Sequence, residues 1–87
     1  MANTHLIKEF GSRIKALRKA KKISQEELSF ITGFHRTYIG MIERGERNIS
    51  LTNMAVFAKA FEMNLSILLE LSEINSKHTF FEYEFKK

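Results

Sequence analysis

Apolar residues recur at alternating spacings of three and four near the start of the chain, where Ile7, Phe10, Ile14 and Leu17 form one stripe. The stripe predicts a first helix from near Thr4 to Lys21, with Lys15, Lys19 and Lys22 largely off it. Ser24 followed three residues later by Glu27 has the form of a capping box. It opens a second helix, Gln25 to about Thr32, with Leu28 and Ile31 inward. Gly33 falls where one helix must stop and another start at a steep angle, and a glycine reaches the left-handed backbone region without steric cost. A third helix, about Arg36 to Arg44, turns Ile39 and Ile42 inward and stops at Gly45. Ser50 can cap a fourth, Leu51 to Glu62, whose stripe is Leu51, Met54, Phe57, Ala58 and Phe61. Asn64 reads as a left-handed stop, and Ser66 as the cap of a fifth helix carrying Ile67, Leu68, Leu71 and Ile74. After Asn75 the period changes. Phe80, Phe81, Tyr83 and Phe85 crowd the last eight residues, three of them alternating with Glu82, Glu84 and Lys86 in a strand-like pattern.

The expected architecture is therefore all-α: five helices over residues 1–75, then an aromatic, strand-like extension over 76–87. A chain of 87 residues without proline and with only four glycines suits one small helical domain. Such a domain buries a modest share of its surface, so a partner chain would help it. The absence of cysteine removes disulfides and thiolate metal sites. No apolar run approaches the ~20 residues that cross a bilayer, and the N-terminus lacks a secretory pattern. The reading is a cytoplasmic protein with no membrane partner.

Charge adds a direction. From Met1 to Leu65 there are eleven Lys or Arg against six Asp or Glu; from Ser66 onward there are three against four. A basic body with a slightly acidic end suits a polyanion for the first part and a protein for the second. Catalysis finds no constellation. His5, His35 and His78 lack metal-ligand spacing, and there is neither a paired carboxylate set nor a glycine-rich phosphate loop. No enzyme activity, cofactor or metal is implied.

Two short helices joined by a tight glycine-containing turn form the DNA-binding helix-turn-helix, whose second helix enters the major groove. A plain five-helix bundle with one close pair is the alternative. Against it stands the surface of the third helix, where Arg36, Thr37, Gly40 and Met41 lie off the Ile39–Ile42 stripe. A forked guanidinium, a hydroxyl with a methyl, a gap and a flexible apolar chain are means of reading base edges. Tyr38 can pack or offer its hydroxyl to a phosphate, and His35 can cap the helix or meet phosphate; both stay open.

The runs Ile23-Ser24-Gln25-Glu26-Glu27-Leu28, Gly33-Phe34-His35-Arg36-Thr37-Tyr38-Ile39 and Ile42-Glu43-Arg44-Gly45-Glu46-Arg47-Asn48-Ile49-Ser50-Leu51 resemble the Cro/C1-type, phage-repressor-like (XRE) helix-turn-helix family. Within it, the wording is most similar to the controller proteins of restriction–modification systems. The resemblance covers about Phe10 to Leu69. It implies a lambda-repressor-like domain that regulates transcription by binding double-stranded DNA at a pseudo-palindromic operator. It places Arg36, Thr37 and Met41 at base edges, and Gln25, Arg44, Arg47 and Asn48 at phosphates, with Tyr38 a further phosphate candidate. It also implies a salt bridge between Arg18 and Glu43, and a two-fold homodimer built by the fourth and fifth helices. Controllers activate or repress, so RNA polymerase is a partner if this chain activates.

The dimer reading has its own support in the residues. The fifth helix holds more Leu and Ile than a small core needs, which leaves Ile67, Leu69 or Ile74 for a partner. Phe81 and Phe85 join them if the extension pairs with its two-fold mate, the alternative being a tail that folds back over its own helices. The rival reading is a phage-type repressor, or an antitoxin or adaptor that acts mainly through protein–protein contacts.

Overall fold

The computed structural model describes residues 4–71, which form five helices in the order α1 (Thr4–Ala20), α2 (Gln25–Thr32), α3 (Arg36–Glu43), α4 (Leu51–Ala60) and α5 (Leu65–Leu68). The strand-like reading of the aromatic extension, together with Ile74, Phe81 and Phe85 as contact residues, lies outside the described residues.

The helix starts follow from local chemistry. Ser24 Oγ accepts the Glu27 N–H at 3.0 Å while Glu27 Oε1 accepts the Ser24 N–H at 2.7 Å, so a reciprocal capping box opens α2. Ser50 Oγ accepts the Asn53 N–H at 3.1 Å at the head of α4. His35 caps α3 through Nδ1, which accepts the Thr37 N–H at 3.0 Å. Each bond satisfies an amide that the first turn of a helix leaves without an internal partner.

Three of the helix ends share one device. The residue after the cap turns left-handed, its N–H bonds back three residues and the next N–H bonds back five. At the end of α1 these are Lys22 N–H to Lys19 (2.9 Å) and Ile23 N–H to Arg18 (3.2 Å). After α3 they are Gly45 to Ile42 (3.0 Å) and Glu46 to Met41 (2.8 Å), and after α4 Glu62 to Lys59 and Met63 to Ala58, both 3.0 Å. This is the Schellman closure. Gly45 takes its φ of 72° freely, whereas Lys22 and Glu62 take 60° and 57° against the Cβ penalty.

Phe10, Ile14, Leu28, Ile39, Ile42, Phe57, Ala58, Phe61, Leu68 and Leu71 make the core. Phe57 is fully buried, and its ring lies 5.2 Å from that of Phe34, which in turn meets Tyr38 edge-on at 5.1 Å. α3 packs on α1 and α2, and α4 packs on α2 and α5.

The structure corrects the sequence reading at several points. Ile31 and Leu51, expected inward, are 55% and 64% exposed. In α2 the side chain fully buried is Leu28, and at the head of α4 the inward row begins at Met54. α4 ends at Ala60, short of Glu62, because the left-handed turn at Glu62 sends the chain back. Asn64 has φ of −70° and stands at the N-cap of α5 without a side-chain bond, so the left-handed stop lies at Glu62 and not at Asn64. Helix α5 thus starts before Ser66, and its regular span is a single turn.

The short α5 is tied down from a distance. Arg13 Nε donates to the Leu68 carbonyl at 3.1 Å and Arg13 Nη2 to the Ile67 carbonyl at 2.7 Å. A cation is favoured at a helix C-terminus, and the Leu68 carbonyl gains a donor while that of Ile67, already paired with the Glu70 N–H, gains a further one. Glycine also matters at the centre of the fold. A Cβ on Gly11 would stand 2.1 Å from the Ile42 carbonyl oxygen and 2.9 Å from that of Glu43, so α1 and the end of α3 touch backbone to backbone.

Candidate nucleic-acid interface

Helix α3 has an inner side fixed by buried contacts and an outer side left to solvent. On the inner side, Ile39 and Ile42 are buried, and so is the carboxylate of Glu43. Arg18 Nε meets Glu43 Oε2 at 2.7 Å and Arg18 Nη2 meets Oε1 at 3.1 Å. Gln25 Nε2 donates to the same Oε1 at 3.0 Å. The remaining Arg18 nitrogen, Nη1, donates to the Ile23 carbonyl at 2.9 Å. Side chains from α1 and α2 therefore close around one carboxylate on α3, while a loop carbonyl holds the far side of the Arg18 guanidinium. The paired side chains are 11% and 2% exposed, so removing either partner strands a charge away from water.

On the outer side, Arg36 and Thr37 are exposed in the first turn and Met41 is half-buried one turn on. Among the described residues no hydrogen bond or ion pair engages the Arg36 guanidinium, and the residue is exposed at the head of the helix. Gly40 is not part of this open face. It is buried, and a Cβ there would stand 3.1 Å from Arg44 Nη1 and 3.7 Å from Gln25 Oε1. The gap read from the sequence is a seat for its neighbours.

Tyr38 both packs and bonds. Its ring lies against Phe34, the Arg47 guanidinium sits 5.5 Å from the ring centroid, and its hydroxyl accepts from Asn53 Nδ2 at 3.0 Å. Stacking of a guanidinium on an aromatic face holds an arginine in place while leaving its edge donors free. Asn48 is exposed beyond the end of α3 and borders an apolar groove with Leu6, Ile7, Ile49 and Met54. Gln25, read as a phosphate contact, spends one amide hydrogen on Glu43.

Arg44 and Glu46 form a second ion pair, at the outer end of α3: Nε to Oε2 is 2.9 Å and Nη2 to Oε1 is 3.2 Å. The hydrogen bond from Arg44 holds the Glu46 carboxyl below its usual range, and the same bond raises Arg44 further. The pair therefore survives acidification until the pH falls through that lowered carboxyl value.

Of the candidate dimer residues, Ile67 is 40% exposed and borders a groove between α4 and α5, with Ala55, Ala58, Lys59, Met63 and Leu65. Leu69 does not join it. It is half-buried and lines the other groove, against Leu6, Phe10 and Met54. Contacts that the sequence did not disclose include Arg13 to α5, Asn53 to Tyr38, and Glu46 to Arg44. Among the described residues no group of His, Asp and Glu could hold a metal ion, and no helix is long and apolar enough to cross a membrane.

A helix braced from behind by two others, with an arginine at its free head, is the helix-turn-helix arrangement, and the helix-turn-helix family profile matches residues 14–68. The chain belongs to this family and is a sequence-specific DNA-binding regulator. It is similar to the control protein C.SmaI of Serratia marcescens, 42% identical over 64 residues, covering 72% of this chain and 76% of that protein. The control protein C.BamHI of Bacillus amyloliquefaciens is 41% identical over 68 residues, covering 77% and 84%. Among solved structures, the restriction–modification controller C.AhdI from Aeromonas hydrophila superposes with a TM-score of 0.69 at 42% identity, over 76% of this chain and 98% of that one.

Proposed function

We propose that the protein is a controller of restriction–modification genes that binds a pseudo-palindromic operator as a two-fold dimer. The carrying observation is the division of α3: its inner side is locked by the Arg18–Glu43–Gln25 cluster, while Arg36 and Thr37 stand free at its head. Arg36 is suited to a bidentate contact with guanine O6 and N7, the commonest specific protein–DNA contact. Thr37 and Met41 offer a hydroxyl and a flexible apolar tip to neighbouring edges. Arg47, held on the Tyr38 ring, and Arg44 and Asn48 beyond the helix end are suited to the flanking phosphates, which position the helix without choosing sequence.

One recognition helix reads only a few base pairs, and a two-fold mate doubles the reading with half-sites about one helical turn, ~34 Å, apart. The groove between α4 and α5, bordered by Ala58, Met63, Leu65 and Ile67, is the face that supports this dimer. The similarity to control proteins supports the regulated genes.

The test is selection of duplexes from a randomised pool, followed by sedimentation of the complex. Two inverted half-sites and two chains per duplex are expected. Recovery of a single unrepeated site bound by one chain would overturn the dimer reading. If the selected site activates or represses an adjacent restriction–modification promoter in a reporter, the regulatory assignment stands; indifference of the reporter to the protein contradicts it.

A further inference from the structure

The Arg44–Glu46 pair sits beside the surface assigned to the DNA backbone, and its geometry has a consequence for binding. Residues 44 and 46 are too close in sequence to meet across a regular helix. They meet because the left-handed turn at Gly45, with φ of 72°, brings residue 46 back alongside the end of α3. The carboxylate takes both Nε and Nη2 of Arg44, the same planar fork that fits two phosphate oxygens. Nη1 is directed back toward Gly40, where a Cβ would stand 3.1 Å away. The guanidinium is thus held between a glycine notch and an acceptor from its own turn. Both side chains remain accessible, at 58% and 49% exposure, so a competing anion can reach them.

The neighbouring charges do not relieve this pairing. Glu43 faces inward to Arg18 and Gln25. From α1, the side chain of Lys8 crosses Gly45, whose Cβ position would lie 2.6 Å from Lys8 Cγ. Arg47 is engaged on the Tyr38 ring.

We propose that Glu46 is an internal stand-in for phosphate, occupying the Arg44 fork in the free protein and requiring displacement by the DNA backbone. The proposal rests on the reading of Arg44 as a phosphate contact. Its consequence is a lower affinity for every duplex with no change in base choice, since the exchanged partner is a phosphate in each case. Glu46 acts through Arg44, by masking its fork, and makes no contact to bases.

The experiment compares wild type, Glu46→Gln, Arg44→Gln and the double variant, each titrated across a salt series against a selected operator and a scrambled duplex. Glu46→Gln is expected to bind both duplexes severalfold more tightly, with unchanged discrimination and a salt slope steeper by up to about one. That gain disappears in the Arg44→Gln background. A gain of equal size without Arg44 would overturn the proposal in favour of general repulsion between carboxylate and DNA. Unchanged binding by Glu46→Gln would overturn it too, and weaker binding would show that the carboxylate aims Arg44 instead of masking it. Failure of the underlying reading is seen separately: Arg44→Gln alone then leaves affinity and salt slope where they were. A second readout is the Glu46 carboxyl resonance, which titrates below the usual carboxylate range in the free protein and moves up in Arg44→Gln.

Discussion

Two ion pairs of nearly the same geometry stand at the C-terminal end of α3 in opposite surroundings. Arg18 and Glu43 meet at 2.7 Å with side chains 11% and 2% exposed; Arg44 and Glu46 meet at 2.9 Å with 58% and 49% exposed. Distance alone would rank them as equals. Surroundings separate them, because a buried charge that loses its partner has no water to turn to, while an exposed one is rehydrated at once. The inner pair has further fixed partners in Gln25 and the Ile23 carbonyl, and the outer pair shares its arginine with solvent. The inner side of α3 thus sets where the helix stands, and the outer side is open to exchange of partners. The proposed function accordingly divides stability and recognition between the two sides of an eight-residue helix.

Substitutions on the two sides should therefore differ in kind. The largest effect is expected from Glu43→Ala, which leaves the Arg18 guanidinium and the Gln25 amide without their acceptor and should cost about 3–5 kcal/mol of unfolding free energy. Glu43→Gln keeps one acceptor and should cost less. Urea unfolding curves that coincide for all three proteins would show that the inner pair behaves like the outer one. Next comes Gly11→Ala. Its methyl would meet the Ile42 and Glu43 carbonyl oxygens, which cannot yield as a side chain can, and roughly 1–3 kcal/mol should be lost. Helix propensity alone predicts the opposite sign, a gain of ~1 kcal/mol, so the melting temperature decides between close approach and propensity.

A smaller effect of opposite sign is expected away from both pairs. Lys22 holds a φ of 60° at the end of α1, and Lys22→Gly should relieve that strain for a net gain of about 0.5–1 kcal/mol after the flexibility added to the unfolded chain. A lower melting temperature would mean that the lysine side chain has a role the backbone does not reveal. The smallest change belongs to the outer pair: Glu46→Gln should leave the unfolding midpoint in place while altering DNA affinity. A clear drop in stability would break the contrast between the faces.

Much of this arrangement is legible in the sequence where the signal is local. The capping box at Ser24 and Glu27, the cap at Ser50 and the row of Phe10, Ile14 and Leu17 follow from spacing within a few residues. Ile31 and Leu51 went the other way because periodicity says which face a residue occupies and not whether another element arrives to cover it. The stop expected at Asn64 lies at Glu62 instead, a residue type that rarely adopts the left-handed region and so gives no sign of it in the sequence. At the proposed site, Arg36, Thr37, Arg18 and Glu43 are legible in motif wording, and Gly11 carries a signal of its own. A glycine inside an otherwise regular helix costs stability and often marks close approach. Arg13 reaching Ile67 and Leu68, and Asn53 reaching Tyr38, have no local signature at all. Glu46 escaped because its contact depends on the turn at Gly45, and helical pairing rules stop at the helix end.

The most direct test of the division between the faces is Arg36→Ala, measured for both stability and base discrimination. Wild type and variant are titrated at fixed salt against the selected operator and a set of single-base-pair variants of it, and their melting curves are recorded. The variant should melt with wild type and lose ~1–3 kcal/mol of discrimination at one base pair in each half-site. Full discrimination retained by Arg36→Ala, at any stability, would contradict the assignment of the outer face of α3 to base reading.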